Sequence, residues 1–182
     1  MKIRPAPFNI ILIAASMVLG LGCESNKSKL KKEDVSTIRF HAESDNGVPG
    51  RTMTVQISET PFIEMVLITD PFLTEANVLK AEAWDTTDGG VAIRLELDRR
   101  GRRMVEINSG LLRGRRIAVM SQFPESRWIA VTMMEELGRD GVVLLYPATT
   151  PEETDRLVKG LNLLARELDK DRDEEDRPSL AE

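Results

Sequence analysis

Val91 to Leu97 is the segment that most restricts how this chain can fold. Val91, Ile93, Leu95 and Leu97 alternate with Ala92, Arg94 and Glu96. Successive side chains of a strand leave opposite faces, so this pattern predicts a strand with one face buried. Upstream, Val78 to Trp84 reads as a partner strand, and Asp85-Thr86-Thr87-Asp88-Gly89-Gly90 between them carries turn chemistry. The two form a predicted hairpin.

Two helices accompany it. Asp98 can cap a helix running to about Leu112, with Met104, Val105, Asn108, Leu111 and Leu112 on one side and Gly114 as its stop. Thr150-Pro151-Glu152-Glu153 is a second helix start, because Thr150 can accept from the amide of Glu153 while that carboxylate reaches back. This helix should run to about Leu168, with Leu157, Val158, Leu161, Leu164, Ala165 and Leu168 as its apolar stripe. Full burial of each large member contributes roughly 1.5–3 kcal/mol. One core should therefore join the strand Val91 to Leu97 to the helix Thr150 to Leu168.

Further strands are predicted over Val35 to His41, Thr52 to Ile57, Met65 to Thr69, Arg116 to Ser121, Trp128 to Met133 and Val142 to Tyr146. The reading is one α+β domain over residues 35–168. Asp169 to Glu182, with seven acids and three bases, is expected to be a disordered acidic tail.

Met1 to Gly22 has the plan of an export signal, with Lys2 and Arg4 ahead of an apolar run from Ile10 to Leu21. A spanning helix needs roughly 20 apolar residues, and this run reaches only about a dozen before Cys23. Leu19-Gly20-Leu21-Gly22-Cys23 resembles the lipobox of bacterial lipoproteins. That resemblance implies cleavage before Cys23, diacylglyceryl transfer to its thiol, and membrane lipid as a partner through Cys23. Glu24 in place of Asp implies, by the family's sorting rule, the periplasmic face of the outer membrane in a two-membrane bacterium. Residues 23–34, with Lys27, Lys29, Lys31 and Lys32, then form a tether reaching roughly 35–40 Å.

Loss of Lys2 and Arg4 with the signal leaves 23 Lys plus Arg against 30 Asp plus Glu, a formal charge of −7. Such a balance disfavours general nucleic-acid binding. Cys23 is the only cysteine, so no disulfide closes within the chain and the domain depends on its core.

Asp88-Gly89-Gly90-Val91-Ala92-Ile93-Arg94-Leu95 leads to Asp98, Gly101 and a helix, then to the strand Gly114-Arg115-Arg116-Ile117-Ala118-Val119. The strand Gly141 to Tyr146 follows, then Thr150-Pro151-Glu152-Glu153 and a helix containing Gly160-Leu161-Asn162. Over about residues 73–168 this order resembles the head region of the first periplasmic domain of the SecD and SecDF protein-export subunits. The resemblance implies an α+β fold, a predominantly antiparallel sheet with two main helices, and an extracytoplasmic role in contacting polypeptide or another envelope protein. Those subunits have several membrane helices, and this sequence has no second apolar run long enough to span, so it cannot by itself drive translocation.

Candidate chemistry is sparse. His41, Glu43 and Asp45 alternate and would project to one side of a continuous strand, but lone same-strand neighbours about 6–7 Å apart make a poor metal site and read better as a solvated strand end. Ser44 beside them lacks a Gly-x-Ser-x-Gly setting, and Glu135-Glu136 and Glu152-Glu153 read as surface and cap pairs. No catalytic residue, metal site or cofactor is assigned.

The arginines Arg99, Arg100, Arg102, Arg103, Arg113, Arg115 and Arg116 form the strongest local charge feature. Arg99, Arg102 and Arg103 are candidate contacts for lipid phosphate, an acidic polypeptide or another anion; the alternative is a solvated helix face neutralised in part by Glu96, Asp98 and Glu106. Trp84 and Trp128, with Tyr146, are candidates for a peptide groove, against the alternative that they fill the core or its edge. The sequence reads as a lipid-anchored envelope module that binds an envelope protein or exported polypeptide, with an envelope hydrolase as the alternative.

Overall fold

The computed structural model describes residues 35–45, 50–57, 62–122, 125–138 and 140–175. The predicted export signal, Cys23, the predicted tether and residues 176–182 lie outside the described residues.

Strands β1 (Thr37–Ala42), β2 (Thr52–Ile57), β3 (Ile63–Ile68), β4 (Leu73–Thr74), β5 (Val78–Asp85) and β6 (Val91–Leu97) precede helix α1 (Arg99–Leu111). Strands β7 (Arg116–Gln122), β8 (Ser126–Met133) and β9 (Val142–Leu145) lead to helix α2 (Pro151–Glu175). All pairings are antiparallel, in three sheets ordered β4-β1-β7-β8, β2-β3 and β5-β6-β9.

The predicted hairpin forms with Leu95 opposite Ala81 and Ile93 opposite Ala83. Gly89 takes φ +83 in its turn, a left-handed conformation that side chains other than glycine rarely adopt, and Thr86 N donates to Gly90 O at 2.9 Å. Asp98 accepts from Gly101 N at 2.5 Å and starts α1. At the start of α2, Glu153 N donates to Thr150 Oγ1 at 3.2 Å and Thr150 N to Glu153 Oε2 at 2.9 Å. These are the reciprocal bonds of a capping box.

The principal core lies between the two larger sheets and the helices. Ile93, Leu95 and Leu97 from β6 meet Leu157, Val158 and Leu161 from α2, joined by Ile38, Phe40, Ile117 and Val119. A second, smaller cluster covers the other face of the β1–β7 sheet, where Ile57, Met65 and Leu67 of the β2–β3 hairpin pack on Ala118.

The structure departs from expectation at three places in the helices. In α2, Leu164, Ala165 and Leu168 are only half-buried. The same helix runs to Glu175 instead of stopping near Leu168. Neither Gly nor Pro interrupts the chain before Pro178, and Lys170 pairs with Glu167 at 2.9 Å across one turn, so local propensity carries the helix beyond its packed face. In α1, Leu111 is 75% exposed, because its position on the helix turns it well away from the side that carries Gly101 and Val105 into the core.

Candidate functional site

β8 and β9 are the outer strands of their sheets, so among the described residues no strand pairs with their free edges. A groove of about 430 Å³ is lined by Ala130, Val131 and Thr132 on the β8 side and by Leu144, Leu145 and Tyr146 on the β9 side. Its origin is local. Ile129 is the extra residue of a bulge opposite Val119 and Met120, and its carbonyl turns outward to accept from Ala148 N at 2.6 Å. Met133 N also points away from β7, to Glu136 Oε2 at 3.1 Å.

Antiparallel strands direct alternate residues' N–H and C=O to opposite sides. Val131, between Ile129 and Met133, therefore presents its backbone groups away from β7. On β9, Leu97 N bonds Gly141 O at 2.8 Å, and the register pairs Leu95 with Val143 and Ile93 with Leu145. Leu144 consequently presents its backbone groups away from β6. Two strand edges whose outward donors and acceptors have no backbone partner among the described residues thus face one groove, where Tyr146 is 67% exposed.

The sequence-based site residues separate. Trp84 lies on β5, 52% exposed, beneath the Arg94 guanidinium at 5.9 Å. Trp128 packs edge-on against His41, ring centroids 5.5 Å apart, beside the second cluster. The two tryptophans occupy different sheets, and neither lines the β8–β9 groove. That groove was not anticipated from the sequence; of its lining, Tyr146 was singled out as a groove candidate and Glu136 only as one of a surface pair of acids.

His41, Glu43 and Asp45 do not form a solvated strand end. His41 is buried, with Nδ1 3.0 Å from Ile68 O and Nε2 lacking a hydrogen-bond partner among the described residues. Glu43 is held by Arg116, whose Nε donates to Glu43 Oε2 at 3.0 Å; this bond sets the Glu43 pKa below the ordinary carboxylate value. Asp45 pairs with Arg115. The three side chains thus have different partners, and the His41 ring nitrogen that would be oriented by an acid in a triad meets a backbone carbonyl. Among the described residues no group of three or more His, Cys, Asp and Glu is placed to hold a metal, and no helix is long and apolar enough to cross a membrane.

The arginine cluster divides in two. Arg115 and Arg116 are tied to the β1 end by Asp45 and Glu43. Arg99, Arg100, Arg102, Arg103 and Arg113 are exposed on and just after α1 and form no salt bridge among the described residues. Two of the acids expected to neutralise them are engaged elsewhere, Glu96 with Arg94 at 2.5 Å and Asp98 at the helix cap. Arg102 lies against Gly141, where a Cβ would come within 2.5 Å of Nε. Arg99 and Arg103 lead outward without that contact.

Comparison with solved structures places this architecture in a class. The chain has the fold of a SecD/SecDF-type periplasmic domain, α+β with mostly antiparallel sheets and two helices, as its sequence resemblance implied. One similar structure is SecDF in a super-membrane-facing form, at 15% identity and TM-score 0.52 over 71% of this chain and 19% of that one. Another is described as a membrane component SecDF that enhances protein export, at 16% identity and TM-score 0.53 over 79% of this chain and 70% of that one. The chain therefore spans about a fifth of the first structure's length. No family model matches the sequence, and no curated protein does.

Proposed function

We propose that this chain is a lipid-anchored module of the bacterial envelope that binds an extended polypeptide, in association with protein export, by strand addition between β8 and β9. The observation that carries this reading is the pair of strand edges at Val131 and Leu144, unpaired among the described residues and facing one groove. An extended segment laid there would receive main-chain hydrogen bonds independent of its sequence, while Tyr146 and Leu144 offer apolar contact. Such binding suits a partner that is not yet folded, and it requires no catalytic turnover. The SecDF-like fold supports the link to export.

Lipid attachment at Cys23 would hold the module at the membrane, on the periplasmic face of the outer membrane in a two-membrane bacterium. Mass spectrometry of the mature N-terminus tests this arm: Cys23 should carry lipid, and Cys23→Ser should abolish processing there. An unmodified Cys23 would remove the anchor from the proposal.

Strand addition is tested by in-cell photocrosslinking from a reactive side chain at position 144, with position 62 as an exposed control. Polypeptide crosslinks should form from position 144 alone. Val131→Pro removes an N–H that does not serve the β7–β8 ladder, so folding should survive while one hydrogen bond to the guest is lost. That loss should lower capture by about two- to tenfold. Equal crosslinking from both positions, or capture indifferent to Val131→Pro in the folded variant, would overturn strand addition.

A further inference from the structure

We infer that the outer face of α1 docks on an anionic phospholipid surface. The chain is acidic overall, with formal charge −5, yet α1 carries Arg99, Arg100, Arg102 and Arg103 against a single acid, Glu106. At 3.6 residues per turn, Arg99, Arg100, Arg103, Ile107 and Leu111 fall on one side, opposite the buried Gly101 and Val105. Ile107 is 48% exposed and Leu111 75% exposed. They stand one turn apart, flanked by arginines with no salt bridge among the described residues.

A folded domain gains nothing in water from this pairing of bare cations with bare apolar side chains. A membrane interface satisfies both groups. Guanidinium groups meet headgroup phosphates, and Ile107 and Leu111 enter the boundary with the acyl chains. A short acidic segment would satisfy the arginines but leave Ile107 and Leu111 in water, whereas a lipid surface covers both. Nothing here requires the lipid on Cys23. The site is separate from the β8–β9 groove, so the two readings can fail independently.

The test is hydroxyl-radical footprinting of the full chain on vesicles of mixed phosphatidylglycerol and phosphatidylcholine, and on vesicles of phosphatidylcholine alone. Lys2, Arg4, Lys27, Lys29, Lys31 and Lys32 also favour an anionic surface, so contact by α1 itself is read from variants of the α1 arginines that leave those residues unchanged. Oxidation of Ile107 and Leu111 should fall on the anionic vesicles only, while the exposed Phe62 and Tyr146 react equally on both. Each arginine near an anionic surface shifts the docked population by about fivefold, so Arg99→Gln, Arg100→Gln and Arg103→Gln together should restore oxidation. Raising salt until screening acts within about 3 Å, near 1 M, should do the same. Equal oxidation of Ile107 and Leu111 on the two vesicle types would overturn the inference. So would protection by polyglutamate in solution that matches protection by anionic vesicles, which would assign the face to an acidic polypeptide.

Discussion

The side-chain amide of Asn162 on α2 both donates to and accepts from the backbone of Ala81 on β5. Nδ2 reaches Ala81 O at 2.8 Å and Ala81 N reaches Oδ1 at 2.8 Å. β5 is an outer strand, so Asn162 replaces a neighbouring strand at a residue with only 2% exposure. It latches the helix to the sheet and closes this edge to strand addition there, in contrast to the open edges of β8 and β9.

Asn162→Ala leaves both backbone groups of Ala81 without a partner in a buried setting. Each orphaned group costs about 1–3 kcal/mol, so urea unfolding should show a loss of roughly 2–6 kcal/mol. Asn162→Asp should not rescue, because a carboxylate brings no donor to Ala81 O. A loss below about 0.5 kcal/mol for Asn162→Ala would contradict the latch.

Gly160→Ala should destabilise the protein although alanine favours a helix interior by about 1 kcal/mol. A Cβ at Gly160 would stand 2.6 Å from Ser36 N and closer still to its hydroxyl. Ser36 is fully buried and the backbone amide cannot swing aside, so overpacking should outweigh propensity and leave a net loss of roughly 1–2 kcal/mol. A rise in the thermal midpoint would show that this contact relaxes.

Leu95 and Leu161 occupy the same core from β6 and α2, at 0% and 2% exposure. Leu95→Ala and Leu161→Ala should each cost about 2–5 kcal/mol in denaturant unfolding, through lost burial and a residual cavity. Values near zero for either would remove that side chain from the cooperative core.

Stability should fall on mild acidification because of His41. Burial lowers its pKa; the hydrogen bond with Ile68 O opposes that, the Arg39 charge lowers it further, and the Asp70 charge raises it in smaller measure, for a net value below the ordinary one. The unfolded chain therefore takes up a proton near pH 6.5 while the folded chain does not, and stability declines as pH drops below about 6.5 until the lower folded value is passed. His41 is the only histidine, so chemical denaturation between about pH 7 and 5.5 isolates it from the carboxylates. His41→Phe should flatten the slope in that window. An unchanged slope would assign the proton uptake to another group.

Sequence alone determined the elements whose signals are local. β2 and β6 have the bounds that alternation predicted, Asp98 and Thr150 cap the helices they were expected to cap, and the order of segments pointed to the SecDF-like fold before any pairing was known. Each rests on chemistry within a few residues. Tertiary structure alone decided which faces are covered and which edges are left open. His41 lies on the face of β1 opposite Phe40, the polar side by periodicity, and is buried because the distant β2–β3 hairpin covers that side. Leu111 belongs to the apolar set of its helix and is exposed because the core contacts α1 on the side of Gly101 and Val105, away from Leu111. Val131 and Leu144 are ordinary strand residues in sequence; they face one groove because β8 and β9 end different sheets and the bulge at Ile129 ties the first to the chain after the second. Periodicity specifies the direction of a side chain within its own element, whereas burial and edge pairing depend on which remote segment arrives beside it.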